Sequence, residues 1–311
     1  MGVHSSNASE ARASTLVRSQ FFAPPSEFDG CFTSFYHLTL DIDPECPSGS
    51  TVIDYLQPEW ANIRFFAGAM PAACVEHEKV NGARFVATGA SSRPCRFELG
   101  SSKMWGIGFL PLGWARFFSD DAFDLANFVG DGAKHAAFAK FDAMSEVLTD
   151  PQIPLEQQLA HIIDRMGQFM RPHRDEAKIG RVHSALVDVE CTSVADLADR
   201  AGMSIRTLER VCRRHFGFTP KLLMRRQRFM RSLSSFMLHQ GKRWTEAMDE
   251  AYHDQAQFTR EFAEFMTMLP SEYAAIEHPI LTSFMEARAR VWGSAAQTLD
   301  RPDRCAECGP T

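Results

Sequence analysis

Short apolar runs dominate the chain between residues 31 and 110. They are rich in Phe, Val, Ile, Tyr and Thr, and Gly, Pro, Ser or Asn interrupts them about every dozen positions, which is typical of sandwiches and barrels. The predicted extended runs are 31–41, 50–56, 62–68, 83–89, 94–99 and 103–110. We therefore predict an N-terminal β-barrel or sandwich.

The periodicity becomes helical from about residue 111. Residues 154–171 carry an apolar stripe, which predicts an amphipathic helix that either packs on the sheet or pairs with its copy in a homodimer. The stripe consists of Leu155, Leu159, Ile162, Ile163, Met166, Phe169 and Met170. A polar break at 172–178 precedes a predicted helix at 179–190, and we place a domain boundary within 172–192.

Residues 193–216 have the pattern of two short helices joined by a tight turn. Ser193 and Ser204 can each cap a helix, with Asp196 at the third position of the first. Gly202 stands where the chain must reverse, because glycine accepts the left-handed conformation without strain. The second helix, 205–216, is rich in Arg, and its predicted inward face is Leu208, Val211, Cys212, His215 and Phe216. The pattern predicts a helix-turn-helix.

Residues 244–275 repeat this pattern. Asp254 can cap a helix with Gln257 at its third position, and Phe258, Phe262 and Phe265 supply its apolar face. A long helix at about 221–238 joins the two copies. The predicted fold class is therefore α+β, with an N-terminal β-rich domain followed by helices and an all-α C-terminal domain.

Charge is distributed very unevenly. The whole chain has a formal charge of −6, but residues 200–243 contain 12 Lys and Arg against one acidic residue, and residues 244–278 contain one against eight. Such asymmetry indicates a local polyanion-binding surface. Any one cation fits a solvated helix face equally well, whereas the whole cluster favours binding of DNA or RNA, since soluble faces usually intersperse both signs. The arginines of this cluster include Arg213, Arg214, Arg225, Arg226, Arg228 and Arg231.

The two motifs, with HDQAQFTREF at 253–262 and SEY at 271–273, resemble the C-terminal region of the AraC/XylS family of transcription regulators. The resemblance covers roughly 180–275. It implies two recognition helices in successive major grooves of double-stranded promoter DNA. The side chains that it places nearest the bases are Arg206, Thr207 and Arg210 in the first unit, and Gln255, Ala256, Thr259 and Arg260 in the second. Arg213 and Arg214 are the predicted phosphate contacts of the first unit.

Two departures from the family pattern concern the second unit. Ala251-Tyr252 replaces Gly-Phe in the turn, so either that turn is made in another way or the first helix of the unit ends differently. Thr267 replaces a late glycine. The second unit is also acidic, which opposes approach to phosphate. We hypothesise that the first unit supplies most of the DNA affinity and that the second adds little beyond Arg260.

The N-terminal half is similar to the cupin-like domains of this family mainly in GIGFLPLGWARFF at 106–118. This similarity implies a domain that binds a small effector or mediates dimerisation, and the aromatic residues of 31–118 either line a pocket or simply form the core. No HxH pair, GxSxG elbow, P-loop or GxGxxG occurs in the sequence, so we expect no enzyme, no cofactor and no metal. The run Glu76-His77-Glu78 is interpreted as an exposed turn.

Cysteine usage and the N-terminus indicate a cytoplasmic protein. The cysteines are scattered, which favours reduced thiols, and only Cys305 and Cys308 form a CxxC pair, in a polar tail. The first residues lack the apolar run of a signal peptide, and we predict no membrane span.

We conclude that the sequence encodes a transcription regulator. The predicted organisation is a flexible arm at 1–20, a sensing or dimerisation domain at 21–175, a DNA-binding domain at 179–278, and a C-terminal helix with a disordered tail at 279–311. RNA polymerase and a small effector are candidate partners of an activator that acts as a homodimer. The alternative is a ligand-binding or enzymatic cupin with a vestigial helical domain.

Overall fold

The computed structural model describes residues 15–43, 50–238 and 244–292. Its strands are β1 (Leu16–Phe22), β2 (Phe32–Asp41), β3 (Val52–Leu56), β4 (Asn62–Gly68), β5 (Ala72–Val75), β6 (Glu78–Asn81), β7 (Phe85–Thr88), β8 (Cys95–Leu99), β9 (Ser102–Phe109) and β10 (Val129–Asp131). Its α-helices are α1 (Pro111–Phe117), α2 (Ser145–Leu148), α3 (Leu155–Phe169), α4 (Glu176–Val187), α5 (Val194–Arg200), α6 (Ile205–Val211), α7 (Pro220–Leu238), α8 (Trp244–Ala247), α9 (Gln255–Met266), α10 (Pro270–Ala274) and α11 (Pro279–Trp292).

The strands form two antiparallel sheets. One has six strands in the order β1-β2-β9-β4-β7-β10, and the other has four in the order β3-β8-β5-β6. Apolar side chains of both sheets meet in one core, for example Leu38 and Met104 from the first with Phe97 and Leu99 from the second. Both sheets are open at their edges, so the domain is sandwich-like and not a closed barrel. The predicted α+β class is confirmed, with the sheets first and the helices after them.

Each predicted extended run contains a strand, but four strands lie outside those runs. β1 occupies part of the predicted flexible arm, because Leu16–Phe22 pairs along its whole length with β2. β5 and β6 form a hairpin of four-residue strands, and the predicted exposed turn lies between them, with Glu76 at φ 50° and His77 exposed. β10 has only three residues and adds to β7. Residues 1–14 lie outside the described ranges.

Glycines allow close packing at the corner after β9. An added Cβ at Gly106 would lie 2.0 Å from Cζ of Tyr36, and one at Gly113 would lie 2.0 Å from the carbonyl oxygen of Cys31. Both separations are far inside van der Waals contact. The GIGFLPLG segment therefore contains glycine where the chain crosses buried neighbours.

The amphipathic helix α3 packs on the six-stranded sheet. Ile162 and Met166 are fully buried, and Gln158 accepts a hydrogen bond from Nε1 of Trp105 at 2.6 Å. The apolar stripe predicted for 154–171 thus belongs to the core of the N-terminal half.

The C-terminal helices pack against the sandwich through two separate apolar cores. Trp60, Ala90 and Leu110 share a core with α4, α5 and α6, whereas Tyr36 and Phe97 share another with α7, α9 and α11. The N-terminal half therefore supports both units of the C-terminal half.

Asp54 of β3 holds the start of α11. Its buried carboxylate accepts the amide hydrogens of Ile280 and Leu281, each at 2.9 Å, and lies 2.8 Å from Nδ1 of His278. A carboxylate at a helix N-terminus satisfies free amides and opposes the helix dipole. Asp54 thus fixes α11 on the sandwich.

Over the described ranges, no helix combines the length and apolar character that crossing a bilayer requires.

Candidate nucleic-acid interface

The first helix-turn-helix consists of α5 and α6, and its ends follow the predicted capping pattern. Oγ of Ser193 accepts the amide hydrogen of Asp196 at 3.1 Å, and Oγ of Ser204 accepts that of Thr207 at 3.3 Å. Gly202 adopts φ +62° between the two helices. The side chain of Asp196 accepts from the amide of Thr192 at 3.3 Å, one residue before the cap. These bonds fix the residues at which α5 and α6 begin.

The helix α6 buries one face and exposes another. Leu208, Val211 and Cys212 are buried, as predicted for the inward face. Arg206 and Arg210 are exposed, and neither has a carboxylate partner within the described residues. Their guanidinium groups are therefore available to an external acceptor.

Ile205, at the first position of α6, was not predicted as a site residue. Its side chain is 49% exposed beside Arg206. A large apolar side chain at the N-terminus of a recognition helix suits contact with a thymine methyl group. Its position directly after the capping serine was the available sequence signal.

The predicted continuation of this helix to residue 216 is a π-helical turn at Cys212–Phe216. Arg213 in this turn lies 4.6 Å from the ring centroid of Phe123, and Nε of Arg214 lies 3.3 Å from Asp121. These two predicted phosphate contacts are thus drawn toward the N-terminal half. The surroundings of Arg213 and Arg214 therefore differ from those of the exposed Arg206 and Arg210.

Three arginines of α7 form ion pairs with acidic residues of the second unit. Arg225 and Arg228 both donate to Oε1 of the buried Glu261, at 2.9 and 2.7 Å. Arg231 donates to Asp249 at 2.6 Å, and Arg225 also pairs with Glu264. The sequence interpretation that placed these cations in a polyanion-binding cluster is wrong for α7. Their charge is balanced internally, because the fold brings α9 beside α7.

Arg226 is buried between the two halves. Its Nε donates to the carbonyl of Ser91 at 3.0 Å, and a terminal nitrogen donates to that of Pro58 at 2.8 Å. The guanidinium also lies 4.3 Å from the ring centroid of Trp60. Burial lowers the pKa of Arg226 to about 9. This arginine holds the halves together and is unavailable to DNA.

The second recognition helix, α9, begins with the predicted cap at Asp254. Oδ1 of Asp254 accepts the amide hydrogen of Gln257 at 2.7 Å, and Oε1 of Gln257 accepts that of His253 at 3.1 Å. Gln255, Ala256 and Arg260 are exposed, while Thr259 is half-buried and donates to the carbonyl of Gln255 at 2.8 Å. Arg260 has no acidic partner within residues 15–43, 50–238 and 244–292.

The turn of the second unit is made by a side chain. Oδ1 of Asp249 accepts the amide hydrogen of Ala251 at 3.0 Å, and the carbonyl of Asp249 accepts that of Tyr252 at 3.1 Å. An aspartate that bonds the backbone two residues on replaces a turn that glycine would otherwise make. The expectation that this turn is formed in another way is confirmed.

Thr267 ends α9 in the left-handed conformation, at φ 57° and ψ 18°. Gly217 has the corresponding role after the first recognition helix, at φ 82°. Such a conformation costs a residue with a Cβ on the order of 1–2 kcal/mol. The threonine therefore occupies a glycine position at an energetic cost.

Residues 197–276 match a family model described as a helix-turn-helix domain. With the capped helices and the exposed arginines of α6, this match defines the class: the chain is a helix-turn-helix DNA-binding transcription regulator. The matched domain is of the AraC type, which confirms for residues 197–276 the resemblance found in the sequence.

Several solved structures are similar to this chain at low identity. ToxT from Vibrio cholerae is 12% identical, covers 84% of this chain and 97% of its own, and gives a TM-score of 0.42. ToxT from Vibrio cholerae O395 bound to (E)-4-(8-methylnaphthalen-1-yl)but-3-enoic acid is also 12% identical. The match covers 84% of this chain and 98% of that ToxT chain, with a TM-score of 0.43. The AraC-like transcriptional activator CuxR is 14% identical, and the match covers 71% of this chain and 88% of the CuxR chain, with a TM-score of 0.28. No curated protein shows a significant match to the chain.

Proposed function

We propose that the chain regulates transcription by placing α6 in the major groove of promoter DNA, where Arg206 and Arg210 contact base edges. The planar guanidinium group can donate two hydrogen bonds to O6 and N7 of guanine. The observation that carries this proposal is the contrast between α6 and α7. Arg206 and Arg210 are exposed and lack carboxylate partners in the described part of the chain, while Arg225, Arg228 and Arg231 are paired.

In this proposal the first unit supplies most of the DNA affinity. In the second unit Glu261 and Glu264 are occupied by Arg225 and Arg228, so Arg260 is the side chain of α9 best suited to contact DNA. Arg213 and Arg214 would add phosphate contacts only by leaving Phe123 and Asp121.

The test is selection of random duplex DNA by the full-length protein, followed by binding assays on the recovered sequence. Arg210→Ala should weaken binding about tenfold or more, the cost of a good bidentate base contact. Arg260→Ala should weaken it less. An equal or larger loss from Arg260→Ala contradicts the assignment of the dominant unit, and failure to recover any DNA motif contradicts the function.

We propose that a small effector binds the apolar cavity between the two sheets and α11. The cavity is lined by Leu38, Phe66 and Phe97 from the sheets and by Ile280 and Phe284 from α11. Its volume is about 40 Å³, so most organic ligands would have to displace α11 to enter. Because α11 shares its core with α9, such a displacement would reach the second unit.

A thermal-shift screen of small apolar compounds tests the effector proposal, with Ala73→Leu as a cavity-filling variant. A compound that stabilises the wild-type protein should stabilise the variant less. An equal shift in both proteins contradicts this location.

The remaining parts of the proposal concern assembly and context. We propose a cytoplasmic homodimer that activates transcription through RNA polymerase and is not an enzyme. Sedimentation of the purified protein, free and on DNA, tests the dimer, and a monomer on DNA contradicts it. A promoter–reporter fusion in cells with and without the gene for this protein tests activation, and reduced reporter expression in the presence of that gene contradicts it.

A further inference from the structure

A cluster of two histidines and one aspartate lies where the first recognition helix meets the segment before α4. His173 belongs to that segment, Asp175 is the N-terminal flanking residue of α4, and His215 lies in the π-helical turn after α6. One ligand atom from each of the three lies within 4.8 Å of the others. His215 thus lies beside two residues that precede it by 40 and 42 positions in the sequence.

Two of these side chains are buried with an unused polar atom. Asp175 is 1% exposed and His215 is 3% exposed. Oδ2 of Asp175 and Nε2 of His215 have no hydrogen-bond partner in the part of the chain that the structure describes. Leaving such atoms unsatisfied costs on the order of 1–3 kcal/mol each, and an ion bound by both of them would satisfy them.

The spacing of these two atoms fits a tetrahedral metal ion. Oδ2 of Asp175 and Nε2 of His215 are 3.5 Å apart. This distance is too long for a good hydrogen bond. Two ligands of a tetrahedral zinc ion, each about 2.0–2.1 Å from the metal, are separated by about 3.3 Å. The pair is therefore already close to the separation that zinc requires.

The carboxylate of Asp175 presents one of its two oxygens to the cluster. Nζ of Lys178 donates to the other oxygen, Oδ1, at 2.6 Å. Lys178 occupies the oxygen that the histidine does not face, which leaves Oδ2 as a single carboxylate ligand.

The surrounding contacts hold the cluster in place and leave an entrance. The amide of His173 donates to Glu176 at 2.7 Å. The amide of Asp175 donates to Nδ1 of His173 at 3.1 Å, a contact that a metal ion bound at either ring nitrogen would have to displace. Glu176 is itself paired with Arg116 of α1 at 2.6 Å. A cleft of about 420 Å³ borders His173 and His215, through which an ion and a water ligand can enter.

We propose that His173, Asp175 and His215 form a binding site for a divalent transition-metal ion, with Zn²⁺ as the best fit. Imidazole and carboxylate ligands suit Zn²⁺, and three protein ligands leave a fourth position for water. A bound ion would tie the segment before α4 to the end of the first recognition helix. The site links metal availability to the position of the first DNA-binding unit.

The experiment is calorimetric titration of Zn²⁺ into the full-length, chelator-treated protein without DNA. Cys305→Ser and Cys308→Ser are introduced in every sample, because that pair could itself bind zinc. One ion per chain should bind, and Co²⁺ should give visible absorption without a thiolate charge-transfer band. His173→Ala, at a half-buried position that tolerates truncation, should reduce the affinity at least about tenfold. The matched control is His77→Ala in the exposed β5–β6 turn, which should bind as the parent does.

Absence of Zn²⁺ binding, or unchanged binding by His173→Ala, would overturn the proposal. Asp175→Asn provides a second variant that keeps the side-chain shape, and its circular dichroism shows whether it folds. Since no DNA is present, the metal site can fail or hold independently of the proposed DNA-binding function.

Discussion

Arg228 of α7 donates to Glu261 of α9 across 2.7 Å, and the guanidinium of Arg228 also lies 4.4 Å from the ring centroid of Tyr252. Oε2 of the same glutamate accepts the hydroxyl hydrogen of Tyr252 at 2.9 Å. Glu261 is buried, so its charge depends on these partners and on Arg225. The acidic second unit is therefore assembled around the basic connecting helix.

Glu261→Gln should destabilise the protein by about 3 kcal/mol, because it leaves two cations beside a neutral amide in a largely buried site. Chemical denaturation with urea measures the change. Glu264→Gln is the matched control, since that carboxylate is more exposed and its loss should cost less than about 1 kcal/mol. Equal effects of the two substitutions would show that Glu261 has no special role.

Arg206→Ala should change the DNA affinity, whereas Arg225→Ala should change the stability of the protein. Arg206 is exposed without an internal acid in the described ranges, so its removal should weaken DNA binding by about 1–3 kcal/mol and leave the melting temperature unchanged. Arg225→Ala should lower the melting temperature and leave the salt dependence of DNA binding unchanged, because Arg225 is paired with Glu261 and Glu264. Both quantities are measured on both variants. A reduced salt slope for Arg225→Ala would contradict the internal pairing.

Thr267→Gly should stabilise the protein by about 0.5–1 kcal/mol. Glycine removes the strain of the left-handed conformation at φ 57°, and its greater freedom in the unfolded chain offsets part of that gain. Differential scanning calorimetry measures the shift. Gly217→Ala is the reciprocal variant and should destabilise, since it places a Cβ at φ 82° and 3.3 Å from the carbonyl of Ala122. A destabilised Thr267→Gly protein would mean that the hydroxyl contact with Met266 outweighs the strain.

Stability should fall as the pH decreases from about 6.5 to about 4, in part through His37. Burial lowers the pKa of His37 to about 4, and Lys103 acts in the same direction, while Trp105 packs against the ring. The unfolded chain takes up the proton near pH 6.5 and the folded chain only near 4, so acid favours unfolding over this interval. His37→Gln should reduce the slope of melting temperature against pH, and His77→Gln should not. A profile that His37→Gln leaves unaltered would exclude this contribution.

The sequence predicted the elements whose signals are local. Ser193, Ser204 and Asp254 cap helices, and each capping oxygen and the amide that donates to it lie three residues apart in sequence. The long apolar runs are strands because their pattern repeats. β10 and the β5–β6 hairpin were missed, since three or four residues with small or polar side chains carry little periodicity. β1 was missed because its pairing with β2 lies outside its own sequence.

The site was predicted in part for the same reason. The exposed arginines of α6 follow from helix phase, which a sequence shows directly. The pairing of Arg225 with Glu261, 36 positions away, and the burial of Arg226 against Pro58, 168 positions away, depend on how helices and sheets assemble. Charge totals cannot distinguish a cation that is free from one that has found an acid in the fold. The convergence of His173, Asp175 and His215 is likewise a property of assembly.

The grip of Asp54 on the start of α11 has a consequence for biosynthesis. During translation the residues of the sandwich are synthesised first. The amides of Ile280 and Leu281, which donate to Asp54, are synthesised more than 200 residues after it. A premature stop before residue 279 would deprive that carboxylate of the amide hydrogens that it accepts and leave an apolar wall of the sandwich facing water. Nonsense alleles in this region should therefore yield insoluble product, even when both recognition helices have been made.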